Sequence, residues 1–501
     1  MSTLTESKIH QLYSKYKKKA QSSLKEGHKN DCLRYLIVAA HTGYSFYMDY
    51  KDDELEDVLE QLSKHIVHND DKKERRQDES VFYDSFSYDN GGLVQQYLGA
   101  LISCGYKIRY ITPNVTVLNT NSAIGTMLRN YAHAEIVIEQ QNLSPFKRAQ
   151  FIYNSITETD ARRLFIHTSP NAAVANTAFY ALPQTIKKYK INLTDHTFWI
   201  GTRFIDYSLE FRPYGGMLSV LRRGIAREKV LHIPFYPIMN HTEFKGFPDE
   251  ARGKVEMFSG ASYYKIFDKE DTFFKLSKAI LDACPNVVLL FAGFGDAKVL
   301  DEKLQKYELT GRFIPIGQRS DITEVFEHCD IFLNTYPLGG GLMSQYAAQL
   351  AKPIVSYATP GTFLVEEFVC QTRQMIISDR SFEAVVERVR HLVADPMYRR
   401  SYGQEIHSCV ISPAQFNELF AQCMEDGKNP VPYAEEEPFV EVINDLQGKL
   451  EIENITKGFQ ISFVKSLGII PSLIQCPSFV FDAISSVIKS NRLLKVLKNH
   501  I

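Results

Sequence analysis

Paired cysteines are missing from this chain. Its eight cysteines (Cys32, Cys104, Cys284, Cys329, Cys370, Cys409, Cys423 and Cys476) are scattered, with no CxxC pair and no histidine grouping at zinc spacing. That excludes a disulfide scaffold and a structural zinc site, and the cysteines read as thiols of a reducing compartment. An excess of one charge is missing too. Against 57 Lys and Arg stand 59 Asp and Glu, a formal net charge of -2, so nothing in the bulk electrostatics calls for nucleic acid. No stretch reaches the ~18 uninterrupted apolar residues of a spanning helix. The opening MSTLTESKIHQLYSKYKKK has no apolar signal-peptide core, and the expectation is a cytoplasmic protein. No GxGxxG appears after a strand, so a dinucleotide site is not indicated. No DxD pair ends a strand in the second half, so no metal is expected.

What is present fills more than one core. The 501 residues, 44% hydrophobic and 23% charged, fit two large globular domains plus an appendage. The 27 Tyr and 32 Phe suit sugar-stacking surfaces and ordinary cores alike. Residues 1–67 read as a helical appendage, with Leu12, Tyr16 and Ala20, then Leu33, Leu36, Ile37 and Ala40, at helical spacing. They also offer a surface for oligomer formation. A charged run, HNDDKKERRQDE, makes residues 68–79 a linker.

Residues 80–239 read as one α/β domain. VFYDSFSYDNGGLVQQYLGALISCGYKIRYIT opens it as strand, glycine-bearing loop, helix and strand, and further strands are expected at 134–139, 163–169, 191–201 and 229–237. A hydrophilic connector, 240–254, leads to a second βαβ series over 255–427. The extension 428–501 ends in Lys489, Arg492, Lys495 and Lys498 interleaved with apolar residues. A basic amphipathic helix over 481–501 can lie on an anionic bilayer surface, which would place the protein on the inner membrane face; a terminal helix packed on its own protein explains the same stripe.

The densest signal is Gly339-Gly340-Gly341, after the strand DIFLNTYP and before a helix. Backbone without Cβ can approach an anion, and a helix start offers unpaired N–H groups and a positive dipole end. The expected ligand is phosphorylated.

Two Rossmann-like domains joined by a short connector describe the GT-B architecture of glycosyltransferases. SGASYYKIF, then CPNVVLLFAGFGD, then GQRSDITEVFEHCDIFLNTYPLGGG and KPIVSY resemble the donor domain of the O-GlcNAc transferase-like family and its bacterial relatives, best over 255–360. The resemblance implies an α/β fold of two Rossmann-like domains facing across a cleft, here with a helical appendage and an amphipathic C-terminus. It implies an inverting transferase that binds a nucleotide-diphosphate sugar, UDP favoured, without a further cofactor. The acceptor would be the hydroxyl of a glycan, a lipid-linked glycan or a protein. Lys265 falls where that family contacts the diphosphate, Gly339, Gly340, Gly341 and Ser344 where the phosphates sit, and Gln318 and Arg319 where the base sits. One departure stands out: the family's ribose carboxylate position holds Tyr346, preceded by Gln345.

In the first half, Asp89, Asn90, Gly91 and Gly92 form a loop expected to line the cleft. A general base must take the acceptor proton, and histidine is the usual candidate near neutral pH. His196 beside Asp195 is the first choice, His167 the second; Arg203 and Arg212 can meet phosphate or an acidic acceptor. Two other functions fit the same architecture. An epimerase would need paired carboxylates, which are not evident, and a non-catalytic partner subunit would fit the loss of the ribose carboxylate.

Overall fold

The structure is a computed structural model that describes residues 5–46, 48–68, 74–86, 92–360, 362, 364–429, 452–481, 483 and 484. Two separate parallel sheets organise it. The first comprises β1 (Arg76–Asp84), β2 (Lys107–Thr112), β3 (Ala134–Ile138), β4 (Ala161–His167), β5 (Lys187–Ile191), β6 (Tyr207–Glu210) and β7 (Val230–His232), in the order β3-β2-β1-β4-β5-β6-β7. The second comprises β8 (Val255–Gly260), β9 (Val287–Ala292), β10 (Phe313–Gly317), β11 (Ile331–Leu333), β12 (Ile354–Tyr357) and β13 (Ser378–Asp379), in the order β10-β9-β8-β11-β12-β13. Parallel neighbours need crossovers, and helices on both faces supply them. That is why VVLLFA in β9 is buried at all six positions and shows no polar alternation.

Strand order decides where ligands collect. In the first sheet β2 lies on one side of β1 and β4 on the other, with Asp84 of β1 in register with His167 of β4. In the second, β9 and β11 flank β8 in the same way. A crevice opens past the carboxyl ends of strands at such a reversal. Lys265 follows β8 and the triple glycine follows β11, so both belong to the second crevice.

The N-terminal helices are part of the first core. Helices Glu6–Lys25, Lys29–Ser45 and Asp53–Ser63 bury Tyr16, Leu36, Leu59 and Leu62 with Val81, Leu164 and Phe179. Polar groups fasten them as well. Asp52 caps the third helix through the Glu54 and Leu55 N–H groups and accepts from Tyr13 Oη at 2.7 Å and Lys17 Nζ at 2.5 Å. Glu56 is fully buried; it accepts from the Gly201 and Thr202 N–H groups at 2.7 and 3.1 Å and from the Tyr180 hydroxyl.

Several expected boundaries shift. The charged run 68–79 does not stay a linker to its end, because β1 starts at Arg76 and Glu79 pairs with Lys107 at 2.8 Å. The strand expected over 191–201 lies at 187–191, and residues 192–201 turn to bury Asp195, Trp199 and Ile200. That over 229–237 stops at His232, after which the chain crosses to the second domain. Helix Pro413–Asp426, expected in the second domain, packs Phe416, Phe420 and Cys423 against Tyr97 and Phe165 of the first. The extension returns as well: Phe459, Phe463 and Phe479 join the N-terminal helical core. Of the basic stripe expected over 481–501, residues 482 and 485–501 lie outside the described residues. Among the described residues no helix is long and apolar enough to cross a membrane.

Far from both crevices, at the start of β8, Glu256 shares a hydrogen bond with Asp330. Burial first, then that bond, push Glu256 up to about 7. An unfolded chain gives up this proton near pH 4.3 while the folded chain keeps it, so stability falls as pH rises to about 7 and is then flat. Urea midpoints followed across this range should therefore drop for the wild type and stay flatter for Glu256→Gln; parallel curves for the two proteins would contradict the assignment.

Candidate active site

The glycine loop is folded around one asparagine. Asn334, just past β11, is buried; its Oδ1 accepts from the Thr335 N–H at 3.0 Å and the Gly340 N–H at 2.9 Å, and its Nδ2 donates to Ser356 Oγ at 3.3 Å. Thr335 Oγ1 donates to the Leu338 carbonyl at 2.7 Å, and the Leu338 N–H donates to the Lys265 carbonyl at 3.3 Å. The loop is thereby fixed against the single helical turn Tyr263–Ile266 that carries Lys265. Burial lowers the Lys265 ammonium below its ordinary value, and among the described residues it has no ion-pair or hydrogen-bond partner. Beside it begins helix Gly341–Gln349, whose first-turn N–H groups have no acceptor inside the helix.

Packing explains part of the glycine run. A Cβ on Gly341 would lie 2.4 Å from the Phe368 ring, whereas on Gly340 it would lie 3.4 Å from Met343. Gly341 is therefore required by its neighbour even without a ligand.

Of five expected site residues, four have other contacts and one is exposed. Gln318 is exposed after β10. Arg319 is engaged by Asp321, Nε to Oδ1 at 2.7 Å and Nη2 to Oδ2 at 2.5 Å, and donates to the Gly246 carbonyl at 2.8 Å. It ties the interdomain connector to the start of helix Ile322–His328. Ser344 Oγ donates to the Gly340 carbonyl at 2.9 Å. Gln345 Nε2 donates to the carbonyls of Phe235 at 2.8 Å and Phe368 at 3.0 Å, and Tyr346 Oη to that of Ile238 at 2.9 Å. The two residues at the ribose position thus hold the chain crossing between the domains.

On the first domain, the turn after β5 brings Asp195 and His196 together. Asp195 is buried and receives Arg212 in a two-point contact, Nε to Oδ2 at 2.5 Å and Nη2 to Oδ1 at 2.9 Å. Burial alone would raise its carboxyl; Arg212 and His196 outweigh that and hold it well below the carboxylate range. His196 Nδ1 lies 3.1 Å from Asp195 Oδ1, and the imidazole is 41% exposed, so solvent or substrate can reach it. A carboxylate only accepts, so Nδ1 carries the proton in this contact, and in the neutral imidazole the lone pair falls on Nε2.

Arg212 also connects the two domains. Its guanidinium lies 4.8 Å from the centre of the Phe368 ring, the ring that abuts Gly341, and Nη1 is 3.6 Å from Glu367 Oε2. A continuous path therefore runs from His196 through Asp195, Arg212 and Phe368 to the glycine loop. Glu367 and Phe368 belong to no motif in the sequence.

His167, Gly92 and Arg203 have other surroundings. His167 is 2% exposed; its Nδ1 is 2.9 Å from Asp84 Oδ1, and Asp84 Oδ2 accepts from Tyr110 Oη at 2.7 Å. Burial makes it the poorer candidate to meet an acceptor hydroxyl. Asn90 and Gly91, with Asp89, lie outside the described residues. Gly92, at φ 79°, precedes helix Leu93–Ser103 and rests against Ile238. Arg203 pairs with Asp53 and Asp57 of the third helix rather than with the site. Among the described residues one group has metal-ligand chemistry, His241, Glu324 and Glu327. It sits where the connector is fastened to helix Ile322–His328, with His241 Nδ1 3.2 Å from Glu324 Oε1.

The fold matches solved structures. The O-GlcNAc transferase of Thermobaculum terrenum superposes with a TM-score of 0.51 at 14% identity, covering 78% of this chain and 77% of that one. The fold is that of GT-B glycosyltransferases. Anabaena HepE, crystallised with UDP and glucose, gives 0.50 at 14% identity over 69% of this chain and 99% of its own. A glycosyltransferase from Rickettsia africae gives 0.50 at 10% identity, over 70% and 98%. No protein-family profile and no curated protein matches the sequence.

The packing around Gly341 has a direct consequence for stability. Gly341→Ala must displace the Phe368 ring and is expected to lower stability by about 1–3 kcal/mol. Gly340→Ala should change it by less than about 1 kcal/mol. Urea unfolding of the two variants without ligand checks this, and equal stabilities would refute the packing role.

Proposed function

We propose that this protein is a glycosyltransferase that moves a sugar from a UDP-sugar to the hydroxyl of a glycan, a lipid-linked glycan or a protein. One observation carries the reading. The turn that carries the half-buried Lys265 and the loop that leads into helix Gly341–Gln349 are joined by the hydrogen bond from the Leu338 N–H to the Lys265 main-chain carbonyl, at the strand-order reversal of the second sheet. As the bond from the anomeric carbon to the diphosphate oxygen breaks, negative charge collects on the leaving group. A partly desolvated cation and fixed N–H dipoles stabilise that charge without reorganising. HepE, with UDP in its solved complex, supports uridine as the nucleotide.

His196 is the base in this reading. Its Nε2 takes the proton from the acceptor hydroxyl while that oxygen bonds to the anomeric carbon, and the imidazolium that forms is stabilised by Asp195. Arg212 keeps Asp195 ionised and aimed, and so acts as a positioning residue. Attack from the face opposite the diphosphate inverts the anomeric configuration. Lys265 supplies the cationic stabilisation, so turnover is expected to persist in EDTA.

Nucleotide release with candidate UDP-sugars, read beside UDP binding by thermal shift, tests both halves. Lys265→Ala should weaken UDP binding and turnover together. For His196→Ala, kcat should fall by roughly 10²–10⁴ with UDP binding retained. A wild-type protein that UDP does not stabilise, or a His196→Ala enzyme with full turnover, would remove the corresponding half.

A further inference from the structure

The C-terminal helices are apolar on two sides. Toward the protein, Phe459, Phe463, Leu467 and Phe479 enter the N-terminal helical core, with Phe463 edge-on to Tyr16 at 5.6 Å. Away from it, helix Ile469–Gln475 and the residues after it expose Ile469 (60%), Ile470 (72%), Ile474 (79%) and Phe481 (65%), with Leu473 and Ile484 beside them. A terminal helix that only packs on its own protein needs one apolar side. A second, contiguous one marks a docking surface.

Charge identifies what docks. From residue 454 onward the sequence carries Lys457, Lys465, Lys489, Arg492, Lys495 and Lys498 against Asp482 as its one acidic residue. The neighbouring first helix adds His10, Lys15, Lys18 and Lys19 around an open depression of about 690 Å³. Lys15 Nζ lies 5.9 Å from the centre of the Tyr16 ring on which Phe463 packs, so the basic helix and the C-terminal helices adjoin. A second copy of the chain would bring two such basic surfaces together, and like charges oppose that contact. Apolar side chains bordered by lysines match the interface of an anionic bilayer.

We propose that the outer face of helix Ile469–Gln475, with Phe481 and Ile484, inserts shallowly into an anionic phospholipid surface, with Lys15, Lys18 and Lys19 meeting its headgroups. The inference rests on this surface alone and does not depend on the donor site. The full-length protein should co-sediment with phosphatidylcholine vesicles containing phosphatidylglycerol and not with phosphatidylcholine alone, and salt should weaken the binding. Ile470→Asp with Ile474→Asp should reduce vesicle affinity on the order of tenfold or more. Reversing Lys15 and Lys18 to Glu should reduce it at least about fivefold per lysine. Unchanged thermal unfolding of these surface variants separates docking from folding. The proposal is overturned by absent or lipid-independent binding, or by variants that bind as the wild type does, which would leave binding to the basic residues after 484. It is equally overturned by a concentration-dependent dimer that Ile470→Asp abolishes while vesicles are ignored.

Discussion

Everything about the site depends on how the chain crosses from one sheet to the other. The segment Phe235–Ile238 is irregular backbone held between two domains, where unpaired N–H and C=O groups would be costly. Side-chain amides from both sides satisfy it. Gln96 of the first domain donates to the Tyr236 carbonyl and accepts from its N–H at 3.1 Å. Gln345 and Gln371 of the second both donate to the Phe235 carbonyl, at 2.8 and 2.7 Å, and Tyr346 donates to that of Ile238. These bonds fix the crossing to the helix that begins at Gly341. They thereby set the distance between the glycine loop of the second domain and the Asp195–His196 turn of the first.

A second constraint is the buried pair of Asp195 and Arg212. Taking both charges out of water is expensive, and such a pair is weak evidence of stability. Here the pair does something an apolar replacement could not. It fixes the carboxylate that sets the His196 tautomer, and it reaches across the domain boundary to Glu367 and Phe368. Arg223 completes the turn by donating to the Asp195 and Thr197 carbonyls, both at 2.6 Å. The geometry of the proposed base is therefore coupled to the packing of the glycine loop.

The sequence conveyed much of this and missed the rest for identifiable reasons. VVLLFAG and DIFLNT are legible because a parallel strand covered on both faces is apolar throughout. INLTDHTFWIG misleads because Phe198, Trp199 and Ile200 are buried without being a strand; burial gives the same apolar signature in a packed turn. The glycines are legible through their place between a strand and a helix, the lysine only through the family resemblance. Glu367, Phe368 and the glutamines at 96 and 371 are not, since their roles arise only where two domains meet. Helix Pro413–Asp426 is misassigned for the same reason: sequence order places it with the second domain, whereas Phe416 and Phe420 find their partners in Tyr97 and Phe165 of the first.

Tyr346 shows why a motif position can change its use. The resemblance places a carboxylate there to accept from ribose hydroxyls. A carboxylate has no hydrogen to donate, and facing the Ile238 carbonyl it would set two acceptors against each other. Tyrosine instead donates to that carbonyl and stacks on Phe326 at 5.8 Å, so ring and hydroxyl both tie the helix to the crossing. A phenol oxygen that donates to a carbonyl keeps its lone pairs but carries no full charge, so toward a ribose hydroxyl it is a weaker acceptor than the carboxylate the resemblance places there. Under the proposed function, Lys265 and the Gly341 helix start therefore carry a larger share of donor binding.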